Sequence, residues 1–233
     1  AVSFYTINAY TDTSNDNILS NDTASKTIEN QIQRSLPYLE SFESAISEWT
    51  IEGSNSSWEI GFPIGRRIDR ATDSLRVLAT DLQDPYNDNE FSFVTSPCIL
   101  KPDTADRLLL SFDLYRNIGA GDQLSFEYST DNGISWNNLL AQELSLNWYN
   151  SITNIHWSGS SAGWERVENI IPNLAGHDNL KVRFRFLSNS AGPTPTINEG
   201  VAIDNFRIQT IEDTVDLALL NVSKPNQNTS VTG

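Results

Sequence analysis

The sequence predicts an all-β protein built as an antiparallel β-sandwich. Three observations lead there. Short runs alternate apolar and polar residues. Gly, Asn, Asp, Ser and Pro clusters separate those runs. Apart from one ambiguous stretch at 24–46, no helical pattern lies between one run and the next. Strands without intervening helices favour antiparallel pairing over a parallel α/β sheet.

Taken in order, "VSFYTINAYTD" reads as a strand, and a polar Asn/Asp/Ser/Thr stretch follows it to Asp22. Residues 24–46 carry a helix-like pattern interrupted by Pro37; the part before that proline reads equally as strand plus linker. "RLLLSFDLY" (107–115) is a long apolar strand, largely buried. In "QLSFEYS" (123–129), Leu124, Phe126 and Tyr128 face one way and Ser125 and Glu127 the other. In "KVRFRFL" (181–187), Val182, Phe184 and Phe186 point inward, while Lys181, Arg183 and Arg185 face solvent. "GVAIDNFRI" (200–208) closes the central region. "VDLALLNVSKPNQNTSVTG" is a strand running into a turn. Neither end buries its apolar face alone, so each is expected to pair with the other, with the central domain, or with another chain.

The 233 residues suffice for one large β domain with a sizeable core. Thirty acidic residues against fifteen basic ones give a formal charge of -15, which repels phosphate backbones and makes nucleic acid a poor partner. The same surface keeps a secreted protein soluble and attracts hard cations, Ca²⁺ first among them. The single cysteine, Cys98, makes neither an internal disulfide nor a cysteine-based zinc site and reads as a small buried hydrophobe. There is no methionine, so the chain is expected to start inside a longer protein or after processing. No signal peptide, transmembrane run or lipidation motif is visible, and membrane insertion is not expected.

"STDNGISW" (129–136) fits S-x-D-x-G-x-[ST]-W, the Asp box of sialidases and other carbohydrate-active propellers. Its physics is local. Asn132 and Gly133 tolerate positive φ in a tight turn, the Asp131 carboxylate and the Ser129 or Ser135 hydroxyl bond loop amides, and Trp136 anchors the return strand. A propeller would repeat the motif, and no second S-x-D-x-G occurs. Arg66, Arg67 and Arg70 cluster in a loop rather than around a tyrosine nucleophile. No G-x-S-x-G, H-E-x-x-H or phosphate loop is present. The chain is not expected to be an enzyme.

Read together, "SLPYLESFES", "WEIGFPIGRRIDRATDSLRVLATDLQDPYNDNEFSFVTSPCI", "LLLSFDLY", "DQLSFEYSTDNGISWNNL", "WSGSSAGWERV", "IIPNLAGHDNLKVRFRFLSN" and "NEGVAIDNFRI" resemble the MAM-like jelly-roll modules of secreted Bacteroidetes surface proteins. Those modules are distantly similar to gingipain-type cleaved-adhesin domains. The resemblance covers roughly 36–213 and implies a concanavalin-like jelly roll. Its strongest elements are W-E-x-G-x-P, Y-x-x-N-E-x-S…S-P, the Asp-box hairpin and E-G-x-A-I-D-N. "ATDSLRV" and "AQELSLNWYN" depart from the family pattern and put an inherited ligand preference in doubt. The resemblance further implies that 1–35 ends a preceding Ig-like (CARDB-type) domain and that 214–233 begins a following one.

It also implies a structural Ca²⁺ where first and last strands meet, held by Glu43 and Asp204, with Glu90 and Asn89 as weaker candidates. The alternative is that Glu43 caps and Asp204 bonds a turn. Trp148, Tyr149, Trp157 and Trp164 offer faces for sugar rings or a partner's pocket, or else form core. His156 and His177 are too isolated for a metal or acid–base centre. The short Asp-Ser/Thr-apolar pattern that Bacteroidetes O-glycosylate falls at Thr23, Ser74, Thr104 and Thr214. Functionally these features imply a non-catalytic adhesion or recognition module, secreted or at the cell surface. Alternatives are a carbohydrate-binding module targeting an attached enzyme to polysaccharide, or a structural subunit assembling head to tail through its terminal strands.

Overall fold

The computed structural model describes residues 3–10, 23–44, 46–119, 121–149, 155–189 and 198–211. The described residues contain fifteen strands and no helix. β1 (Ser3–Tyr10) and β2 (Thr23–Asn30) pair only with each other, as an antiparallel ribbon. The remaining strands are β3 (Gln33–Ser35), β4 (Tyr38–Glu40), β5 (Thr50–Ser54), β6 (Trp58–Gly61), β7 (Val77–Thr80), β8 (Phe91–Thr95), β9 (Cys98–Leu100), β10 (Leu108–Asn117), β11 (Gln123–Ser129), β12 (Asn137–Asn138), β13 (Glu165–Ile171), β14 (Asn179–Leu187) and β15 (Gly200–Thr210). They build two stacked sheets. One has six strands, ordered β13-β10-β15-β7-β6 with β4 also on β15. The other has seven, ordered β12-β11-β14-β8-β5, with β9 on β14 and β3 on β9. Every pairing is antiparallel except β3–β9. This is the expected jelly-roll sandwich.

The helix-like reading of 24–46 resolves into β2, β3 and β4, with a cis Leu36–Pro37 peptide between the last two. β3, just before the expected boundary at Leu36, pairs with β9 of the sandwich. The C-terminal strand expected at 215–222 lies outside the described residues. Among the described residues, no helix is long and apolar enough to cross a membrane.

Alternation places the core. Leu180, Val182, Phe184 and Phe186 of β14 meet Leu110, Phe112 and Leu114 of β10 and Val201, Ile203, Phe206 and Ile208 of β15 in one buried cluster between the sheets. Phe112 sits at its centre, edge-on to Phe184 at 5.1 Å and stacked with Phe126 at 6.1 Å. Burying this much aromatic area is the main favourable term in the fold.

Candidate functional site

Of the four aromatic residues singled out as ligand platforms, Trp148 and Trp157 are buried in the protein and Tyr149 and Trp164 are half-buried. Trp157 is 1% exposed and Trp148 6%. Their rings lie 4.9 Å apart and both pack on Phe112. Trp148 donates its indole N–H to Leu139 O, and Trp157 donates to Asn147 O. The half-buried Tyr149 packs 4.6 Å from Trp157, and burial pushes its hydroxyl pKa up. Trp164 lies edge-on to Tyr115 and donates to Arg70 O. No open face of Trp148 or Trp157 remains for a sugar, so their role as a binding platform is corrected to core packing.

The outer face of the seven-stranded sheet is different. Lys181, Arg183 and Arg185 of β14 stand there beside Ser129, Glu127 and Ser125 of β11, each in direct cross-strand register. Glu127 is buried between two guanidinium groups. Arg183 Nε donates to its Oε2 at 2.6 Å, and Arg185 Nε lies 3.5 Å from its Oε1 without hydrogen-bond geometry. The Arg183 guanidinium is also sandwiched between the Phe93 and Trp136 rings, 4.1 Å from each centroid. Burial lowers its pKa, and Glu127 opposes that shift.

Beside this stack lies a half-open groove of about 320 Å³, within the range of small-molecule sites. Its floor is Thr95, Lys181 and Arg183. Asn132, Gly133 and Trp136 form one wall; Glu48, Thr50 and Glu52 form the other, with Gln31 and Ile32 at the rim. Thr50 and Thr95 stand opposite each other in register. Glu48 is held by Arg34. The lining therefore mixes hydroxyl, amide, carboxylate, ammonium and one indole.

The Asp box supplies one wall. Asn132 and Gly133 both adopt positive φ, 61° and 89°, as the turn requires. The Ser129 hydroxyl donates to Asp131 Oδ1 at 2.6 Å and accepts from Gly133 N at 2.8 Å. Ser135 donates its amide and hydroxyl to the two Asp131 oxygens. Ser129 and Ser135 together pull the Asp131 carboxyl down to about 2. The motif is a hairpin brace, and its tryptophan faces the groove and stacks on Arg183.

The candidate cation ligands accept hydrogen bonds. Glu43 Oε1 accepts from the Leu75 and Arg76 amides, and Asp204 Oδ2 from the amide and hydroxyl of Thr72. Burial raises the Asp204 pKa, and the Thr72 bonds offset it. The Glu90 carboxylate accepts from the Ser57 amide, the Ser57 hydroxyl and the Ser92 hydroxyl inside the protein, and burial raises its pKa. Asn89 is exposed, with φ 50°. Among the described residues no group of three or more His, Cys, Asp or Glu side chains could hold a metal ion. Carboxylates aimed at N–H donors do not fit a cation cage.

Thr23, Ser74 and Thr104 are exposed, and Thr214 lies outside the described residues. His156 is half-buried near Arg185, and burial first, then that charge, lowers its pKa. Reading by strand alternation reached Lys181, Arg183 and Arg185 but not Glu52, Thr50, Thr95 or Phe93. Their role depends on which strands are neighbours.

No protein-family model and no curated protein matches the sequence. Solved structures of similar architecture include the K1 cleaved adhesin domain of Lys-gingipain from Porphyromonas gingivalis W83. It is 14% identical, with TM-score 0.46, over 75% of this chain and 98% of that one. The K2 cleaved adhesin domain of Lys-gingipain is 16% identical, with TM-score 0.47, over 74% and 99%. A CBM61 module solved with β-1,4-galactotriose is 11% identical, with TM-score 0.44, over 70% and 88%. At these values no residue or ligand is carried over from any of them.

Proposed function

We infer that the chain is a non-catalytic recognition module of a secreted or cell-surface protein and that it binds a glycan in the groove beside Trp136. The observation that supports this reading most is the composition of that groove. Sugars offer flat C–H faces and rows of hydroxyl groups. An aromatic wall suits the first. For the second, Glu52 accepts, Lys181 donates, and Asn132, Thr50 and Thr95 do both. The braced hairpin and the Arg183 stack hold the wall before ligand arrives, which reduces the ordering cost of binding. On this reading the ribbon β1–β2 is the end of a preceding Ig-like domain, and the module is one bead of a longer adhesive chain.

A glycan array followed by calorimetry on the best ligand tests the reading. Trp136→Ala and Glu52→Ala should each weaken binding by about tenfold or more, and Trp164→Ala should leave it unchanged. A blank array, or a ligand indifferent to Trp136→Ala, would overturn it.

A further inference from the structure

The two sides of the groove come from different strands. Lys181 belongs to β14, and its Cδ lies beside Gly133 on the hairpin side, 3.8 Å from where a Cβ on that glycine would stand. Thr50 and Glu52 belong to β5. β8 runs between β14 and β5, so the sides are two strand spacings apart, about 10 Å.

The groove has no cationic excess to draw an anion in. What distinguishes its charges is how they are spent. Arg34 holds Glu48. Arg183 is bonded to Glu127 and clasped between Phe93 and Trp136, and Arg185 shares the same glutamate. Asp131 and Asp178, on the turns beside Lys181, are bonded by Ser129 and Ser135 and by Asn179. Lys181 and Glu52 are left over. Among the described residues neither makes a hydrogen bond or an ion pair. Lys181 is half-buried on the floor, and Glu52 is exposed on the far wall. A free ammonium in such a groove offers a charge-assisted hydrogen bond, about twice as strong as a neutral one.

A hexuronate ring matches this separation of charges. Its carboxylate projects from one edge of the ring, and two neighbouring hydroxyls project from the opposite edge. The carboxylate accepts from Lys181 while a hydroxyl donates to Glu52, which leaves a C–H face for Trp136. The glycosidic positions occupy the remaining edges, so the polymer runs along the groove. A neutral hexose gives the ammonium only a hydroxyl, and a ligand that is anionic on both edges sets one charge against Glu52.

Resting on the glycan reading, we propose that the groove takes a hexuronate unit of an acidic polysaccharide, with Lys181 on one side of the ring holding its carboxylate and Glu52 on the other holding its hydroxyls. The formal charge of -15 opposes an acidic polymer at a distance, but physiological salt screens that opposition beyond about 8 Å. Recognition then depends on contact and not on steering.

Calorimetry at physiological salt on the full chain tests this, using oligogalacturonate, oligoglucuronate and oligomannuronate, each beside its carboxyl-reduced form. At least one acidic oligomer should bind about fivefold or more tighter than its reduced form. Lys181→Gln and Lys181→Met should each erase that preference, and Lys181→Arg should keep it. Trp136→Ala should weaken both forms. Equal binding of acidic and reduced oligomers, lost in Trp136→Ala, overturns the hexuronate assignment and leaves the glycan reading standing. A preference that survives both Lys181→Gln and Lys181→Met does the same, as does Trp136-dependent binding confined to neutral glycans. No glycan binding of any kind overturns both.

Discussion

Two groups of aromatic rings lie on opposite sides of the seven-stranded sheet, and the same residue types meet different fates there. Inside, Trp148 and Trp157 pack on Phe112 and Phe126, and their N–H groups reach backbone carbonyls. Outside, Trp136 and Phe93 clasp a guanidinium, and Trp136 also walls a groove. The inner rings spend their faces on stability, whereas Trp136 also lines the groove. What a tryptophan can do for function is set by what already covers it.

The largest effect should come from the inner group. Trp157→Ala should cost about 3–5 kcal/mol in urea unfolding. A loss as small as that at Trp136 would erase the distinction. Next comes the charge cluster on the outer face: Glu127→Ala leaves Arg183 and Arg185 without their buried counter-charge and should cost about 3 kcal/mol. Trp136→Ala should cost no more than about 1 kcal/mol in stability while weakening glycan binding by about tenfold or more.

Smaller still is a pH effect, and it has opposite signs at two carboxyls. Burial raises the Glu90 pKa above its ordinary 4.5, so its contribution is fully present below that value and is lost as pH rises through the folded pKa. Serine bonds hold Asp131 at about 2 against an ordinary 3.8, so its contribution is present above 3.8 and is lost as pH falls toward 2. Glu90→Gln should flatten the stability profile above pH 4.5 in denaturant titrations, and Asp131→Asn should flatten the acid limb. The smallest expected effect is none. Melting in calcium and in chelator should coincide, because Glu43 and Asp204 are aimed at amides. A higher melting temperature in calcium would show that loop 62–76 opens to a cation.

Much of the fold was legible because alternation has a fixed period. The 123–129 run is β11 to the residue, and the inward set of β14 is the one that alternation assigns. The site was less legible. Trp148, Trp157 and Trp164 lie in an irregular stretch where no period tells inside from outside. Trp136 was read correctly as a hairpin anchor, yet the groove at its side needs Thr50 opposite Thr95 and Arg183 opposite Glu127. Those neighbours are far apart in the chain, and a single sequence carries no register between distant strands. Arg66, Arg67 and Arg70 were visible as a cluster, but the acceptors that pin their loop come from Glu43, Glu199 and Asp204.

The rim of the groove carries one more consequence. Gln31 and Ile32 stand there, and they are the only two residues between β2 and β3. A pull applied from the amino-terminal side reaches them before it reaches any paired strand of the sandwich. A ligand seated in the groove would touch the same two positions that carry such a load, so grip and tension would be coupled by chain connectivity.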